Sequence, residues 1–340
     1  MKTRSAHIRA PWQVEIREIS LPDVPAAGDV LIRVDACGIC GTDVSAFTAG
    51  ATQWEPSGHE VAGTVMAVGH GEARLQVGQR VVLETASFCG QCDLCRNGRV
   101  DLCVKAPNFW GRPAMGFSDL MLVPSACVVP FTQPISAAIA CLAEPAGVAY
   151  DMVRTAGITL GSRVAIVGLG PIGLMAASLA KYSGAARIVA IARSASLRRL
   201  EIAAEIGCEA IPYDGPLDQL ESLRNQFDHV LMTAPVECIA PALTLLSYGG
   251  EMTYIGIGTG NKMISFDAND FHFRKLQLRA SFASPALYLP VVLDLLAGGI
   301  IPGEMIISHR FGLSQMNQAM RTLRDDRAGV AKIVIEPSED

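Results

Sequence analysis

RVAIVGLGPIGLMAASLAKYSGAARIVAIAR, residues 163–193, constrains the fold more than any other stretch of this chain. It reads as an apolar strand, a glycine turn, an apolar helix and a second apolar strand. That is one βαβ unit, and it predicts a parallel sheet with helices on its faces. The turn is Gly168-Leu169-Gly170-Pro171-Ile172-Gly173. Gly168 allows the chain to turn tightly, Gly170 lets the backbone approach a pyrophosphate, and Gly173 permits the helix to pack closely on the strand. Free N–H groups at the helix start then favour phosphate. The spacing alone also suits a turn that serves packing only; the strand before it and the helix after it favour dinucleotide binding.

The end of the second strand bears on which dinucleotide is bound. NAD binders usually place Asp or Glu there, to accept from the adenosine ribose. Here the strand ends IVAIARSASLRR, and neither Arg193 nor Ser194 is acidic. Arg193, Arg198 and Arg199 could surround a 2′-phosphate, with Ser194 donating to it. The plainer reading is that these arginines solvate the start of a helix. The expectation is NADP, with NAD as the alternative.

HVLMTA, EMTYIGIG and LQLRASFA extend the parallel sheet, and LRRLEIAAEIG supplies a helix between strands. Before residue 148 the texture is different. VLIRVDACGI, EVAGTVMAVGH, QRVVLE and SDLMLVP are short β-like runs divided by turn residues. After residue 286, LPVVLDLLAGG and QMNQAMRTL read as helices and VAKIVIEP as a strand. The 340 residues make about two domains at roughly 150 residues each.

A net charge of -5 argues against a nucleic-acid partner. No apolar run approaches the roughly 18 residues that span a bilayer, and the opening MKTRSAHIRAPWQVEIRE does not read as a secretory leader. Ten cysteines in that setting point to a reducing compartment, so a cytoplasmic location is expected.

Cys89, Cys92, Cys95 and Cys103 follow the spacing C-x2-C-x2-C-x7-C, which lets thiolates converge on one tetrahedral zinc. Arg96, Arg99 and Lys105 lie near enough in sequence to offset the charge of four thiolates. The competing reading, disulfides, conflicts with a reducing compartment. Four protein ligands leave no open position, so this zinc would be structural. A catalytic metal would need other ligands. Cys37 and Cys40 in CGICGTDVS, His59 and Glu60 in EPSGHEVAGTV, and Glu144 in CLAEPAGVAY are candidates, though each on its own also suits packing or the surface.

Taken together, GICGTD at 38–43, GHEVAGTVMAVG at 58–69, GQRV at 78–81, the four-cysteine stretch, AEP at 143–145 and GLGPIG at 168–173 resemble the zinc-dependent medium-chain dehydrogenases, in their polyol (sorbitol) and threonine dehydrogenase branch. The resemblance covers essentially the whole chain. It implies an α/β fold in which a Gly-turned, β-rich (GroES-like) catalytic domain, residues 1–147 and 287–340, flanks a Rossmann doubly wound domain, residues 148–286. Two zincs per subunit are implied, one structural on the four cysteines and one catalytic on Cys40, His59 and Glu144. Glu60 would be a nearby exchanging carboxylate, and Cys37 would not be a ligand. Thr42 would relay the alcohol proton and Asp43 would hold the ring of His59, although an Asx turn after Gly41 also accounts for Asp43. Many relatives carry His where Ser45 stands, and Phe109, Trp110, Arg112 and Phe282 lie where substrate is bound. The implied activity is NAD(P)-dependent oxidation of a secondary alcohol of a polyol, sugar or sugar acid, or the reverse, in a homodimer or homotetramer. A threonine-dehydrogenase-like or simple alcohol dehydrogenase is the nearest alternative. A non-catalytic dinucleotide-binding protein is the alternative of another class.

Overall fold

The computed structural model describes residues 1–256 and 262–339. Six parallel strands form one sheet in the order Glu209–Pro212, Arg187–Ala192, Arg163–Val167, Phe227–Met232, Leu246–Tyr254, Gln277–Ala280. The order reverses between Arg163–Val167 and Phe227–Met232, which opens a crevice at the carboxyl ends of these two central strands. Arg163–Val167 is buried along VAIV, as a strand covered on both faces must be. The helix that follows, Pro171–Tyr182, is capped by Gly170 and opens on Pro171, whose fixed φ suits a first helical position. The tail of EMTYIGIG, residues 257–258, lies outside the described residues. The short strand Glu209–Pro212 has no clear pattern in the sequence, yet it places Asp214 beside the preceding strand's end.

The second large sheet runs Ile307–Phe311, Lys332–Ile335, Asp29–Gly38, Glu60–Val68, Arg80–Leu83, Val128–Pro130, and Leu120–Pro124 also pairs with Asp29–Gly38. It therefore joins early strands to two strands from beyond residue 300. Lys2–Arg9 and Gln13–Ser20 form an antiparallel hairpin. Ala36, Ala62 and Val82 of this sheet share one apolar cluster with Met152, Ile166, Leu174 and Leu289, so the two sheets are joined by a continuous core. The expected division at residue 147 falls inside the helix Ala143–Ala156. Among the described residues no helix is long and apolar enough to cross a membrane.

Candidate active site

Cys40 caps the short helix Gly41–Ser45, and His59 and Glu60 stand where the strand Glu60–Val68 begins. Ligand atoms of Cys40, His59 and Glu60 all lie within 4.8 Å of one another. Gly58 makes the approach to His59 by taking a φ of 95°, where an added Cβ would meet the Phe117 backbone N at 2.8 Å. Glu144, on the first turn of Ala143–Ala156, stands outside that tight group but shares its field. Burial and the neighbouring Glu60 push the Glu144 carboxyl up to about 7, against the pull of His59 and Lys332. No hydrogen bond or ion pair engages Glu144 among the described residues.

Burial opposes a charged His59 imidazole, yet Asp43, Cys40 and Glu144 together hold its pKa well above the ordinary value. Such a field favours a cation among these side chains, which is what a metal would supply. Thr42 Oγ1 and His59 Nδ1 are buried here without a hydrogen-bond partner, and Glu60 Oε2 has only its ion pair with Lys332. Orphaned buried groups are rare in folded proteins and commonly mark a site where something else binds. The donor set of thiol, imidazole and carboxylate matches zinc with a position to spare.

Asp43 does two things. One carboxylate oxygen accepts the Cys40 N–H at 2.9 Å, which fixes the start of the helix. The other accepts from Ser57 Oγ at 2.6 Å and the Gly58 N–H at 3.3 Å, and sits 3.7 Å from His59 Nδ1. Asp43 therefore ties the loop that carries Cys40 to the loop that carries His59. Ser45 is turned inward on its own helix, its Oγ donating to the Gly41 carbonyl at 3.1 Å. Cys37 is fully buried, and burial pushes its thiol well up.

Lys332 is the residue the sequence reading missed. It is 2% exposed, forms an ion pair with Glu60 Oε2, and donates to the Ile39 carbonyl at 2.8 Å. Burial works against its charge, but Glu60 and Cys40 hold its pKa up. A Cβ at Gly38 would lie 2.1 Å from Glu60 Oε2 and 2.9 Å from Lys332 Cε, so only glycine leaves room for this pair. The one sequence signal was a lone lysine inside the apolar run VAKIVI.

The expected substrate residues divide. Trp110 is 53% exposed and its ring lies 5.1 Å from that of His59, while Phe282 is 73% exposed. Phe109 is fully buried behind Trp110 and belongs to the core, not to a cleft wall. Arg112 pairs with both carboxylate oxygens of Asp29 at 2.8 and 3.0 Å, so its guanidinium is committed within the fold.

The four-cysteine stretch gathers its thiols without disulfides. Cys92 Sγ lies 3.5 Å from Cys95 Sγ, and Cys89 Sγ lies 4.0 Å from Cys95 Sγ. N–H groups of Gln91 and Cys92 point at Cys89 Sγ and push that thiol down to about 6. Four sulfurs with backbone donors aimed at them suit a tetrahedral zinc. Arg99 is turned to Asp101 at 2.8 Å and so is not available to offset the thiolates.

In the glycine turn, Gly168 and Gly173 are closed positions. An added Cβ would meet the Ala234 backbone N at 2.8 Å at Gly168, and the Gly168 carbonyl at 2.1 Å at Gly173. Gly170 is open, with nothing within 4 Å of an added Cβ, and its backbone leads into Pro171 and Ile172 of the helix. That open, glycine-floored helix start fits a pyrophosphate. The arginines beyond the second strand do not converge. Arg198 reaches along its own helix to Glu201 and Glu205, each at 3.3 Å, and Arg199 donates to the Val330 carbonyl at 2.9 Å. Arg193 and Ser194 remain exposed at the strand end.

With this geometry in view, residues 26–133 match the alcohol dehydrogenase GroES-like domain and residues 171–298 match the zinc-binding dehydrogenase domain. The chain is 30% identical over 324 residues to L-threonine 3-dehydrogenase of Bacillus licheniformis, covering 91% of each. The chain belongs to the zinc-dependent medium-chain dehydrogenases. It is 29% identical over 311 residues to L-galactonate-5-dehydrogenase of Escherichia coli K12, covering 88% of this chain and 89% of that one. A zinc-binding dehydrogenase structure from Sinorhizobium meliloti 1021, bound to NADP, superposes with a TM-score of 0.86 at 27% identity, covering 99% of this chain and 100% of that one. This member of the family is thus an oxidoreductase, with a GroES-like domain and a Rossmann sheet.

Proposed function

We propose that this dehydrogenase oxidises a secondary alcohol of a polyol, sugar or sugar acid to the ketone, or runs the reverse, with a nicotinamide dinucleotide. The observation that carries this reading is the group of Cys40, His59 and Glu60, with Glu144 in its field, beside an orphaned Thr42 hydroxyl. In this reading residues 1–147 and 287–340 are the catalytic part and 148–286 the dinucleotide-binding part. Cys40, His59 and Glu144 hold the catalytic zinc, and Cys89, Cys92, Cys95 and Cys103 hold the structural one. Glu144 is preferred to Glu60 because Glu60 is already neutralised by Lys332, whereas Glu144 is uncommitted.

When bound, zinc supplies Lewis acidity that makes the alcohol acidic near neutral pH, and the nicotinamide ring accepts the hydride. Thr42 Oγ1 accepts the alcohol proton and passes it outward. Ser45 is engaged with its helix, so water completes the relay. Asp43 fixes the spacing between Cys40 and His59, and Trp110 walls the substrate beside His59. Gly168, Gly170, Pro171, Ile172 and Gly173 cradle the pyrophosphate. We assign NADP as the favoured dinucleotide, through Arg193 and Ser194, and a homodimer or homotetramer as the assembly. The relative named for threonine keeps an amino alcohol as the second substrate class.

The test is a screen of polyols, sugar acids and amino alcohols with NAD+ and NADP+, combined with metal analysis. Turnover of a polyol or sugar acid and two zincs per chain support the reading. Turnover confined to threonine or simple alcohols moves the substrate class. No turnover, with a single zinc that survives Cys40→Ser, favours a non-catalytic dinucleotide-binding protein.

A further inference from the structure

The residue beside Ser194 at the adenosine end of the crevice comes from a different strand. The Tyr213 N–H donates to the Ala192 carbonyl at 2.8 Å, which draws the end of Glu209–Pro212 against the end of Arg187–Ala192. Asp214, next along, then meets Ser194 with both oxygens. Its Oδ1 accepts the Ser194 N–H at 3.2 Å, and its Oδ2 accepts from Ser194 Oγ. Arg193 is near enough to Asp214 to add to the pull on its carboxyl.

A 2′-phosphate at this strand end would call on the same donors, a backbone N–H, a serine hydroxyl and the Arg193 guanidinium. Asp214 presents to them the acceptor that the phosphate would otherwise be. It also leaves a full negative charge where the phosphate would arrive. Arg198 and Arg199, turned to Glu201, Glu205 and the Val330 carbonyl, do not counter that charge.

We propose that Asp214 is the residue that sets cofactor choice in this enzyme, by holding both donors of Ser194 and so limiting how far NADP is favoured over NAD. The proposal rests on the dinucleotide reading of the crevice. For NADP to bind, Ser194 must exchange Asp214 for the phosphate, and the displaced carboxylate must remain close by. For NAD no such exchange is needed.

The test measures binding and not turnover. Dissociation constants for NADP+ and NAD+ are taken by calorimetry on wild-type protein, Asp214→Asn and Asp214→Ala. Asp214 is exposed, so neither substitution endangers the fold. The expected result is that the ratio of NAD+ to NADP+ dissociation constants rises about tenfold or more in both variants. Asp214→Ala, which frees the Ser194 donors outright, should give the larger rise. A rise clearly short of tenfold in both variants would overturn the proposal, as would an unchanged ratio or a fall. Wild-type protein that bound neither dinucleotide would overturn the cofactor reading itself, a result distinct from an unmoved ratio.

Discussion

The four-cysteine stretch takes all its donors from residues 89–103, whereas the Cys40 site gathers side chains from residues 40, 59, 60 and 144 and rests on Lys332. In the first, tight turns bring all four thiols within 4.8 Å of one another and aim backbone N–H groups at sulfur. In the second, no local turn does the work. A hydrogen-bonded aspartate, a glycine with no room for a Cβ and a buried ion pair hold separate parts of the chain together. The locally built site is therefore expected to be separable from the distant one, whereas the Cys40 site draws on several strands of the second large sheet.

The largest expected effect follows from that contrast. If Cys40 holds the catalytic metal as proposed, Cys40→Ser should lower kcat/KM by about a thousandfold or more, since several kcal/mol of charge stabilisation go with that metal. Metal analysis should show one zinc retained. Cys92→Ser should do the converse, releasing the structural zinc while activity of the remaining folded protein stays within about tenfold of wild type. If both variants lost both metals, the two sites would not be independent.

Lys332→Met should destabilise the protein by about 3–5 kcal/mol in denaturant titration, because it leaves Glu60 buried without its cation. Adding Glu60→Gln should recover much of that loss. A double variant as unstable as the sum of the singles would deny the coupling. Asp43→Asn is expected to cost about 10–100-fold in zinc affinity, read by chelator competition, with the fold retained.

The smallest effect belongs to the root of the cysteine lobe. Burial pushes the Glu84 carboxyl up to about 7 against the opposing pulls of Ser87 and Arg74. Its folded-state pKa lies above its unfolded value, so the folded state holds the extra proton. Stability should therefore fall as pH rises from about 4.5 to 7 and level off beyond. Glu84→Gln should be more stable than wild type at pH 8, by on the order of 2 kcal/mol, and nearly equal to it at pH 4.5. Equal stability at pH 8 would show that burial there costs nothing.

What could be read in the sequence was what the chain builds locally. The glycine turn at 168–173 and the cysteine spacing each specify a backbone path within a few residues, and the structure has those paths. Cys40, His59 and Glu144 were legible only through resemblance, since nothing in their own surroundings says that they meet. Charged side chains were the least legible. Arg198 and Arg199 were assigned by nearness in sequence to a site and Arg112 through resemblance, but their long side chains found carboxylates and a carbonyl elsewhere. Asp214 and Lys332 escaped notice for the converse reason, because strand pairing brings them in from a distance.

The strand Lys332–Ile335 inserts beside Asp29–Gly38 after the entire Rossmann sheet has been spelled out. Lys332 is made some 270 residues after Glu60, so the ion pair that neutralises Glu60 can close only once nearly the whole chain has been synthesised.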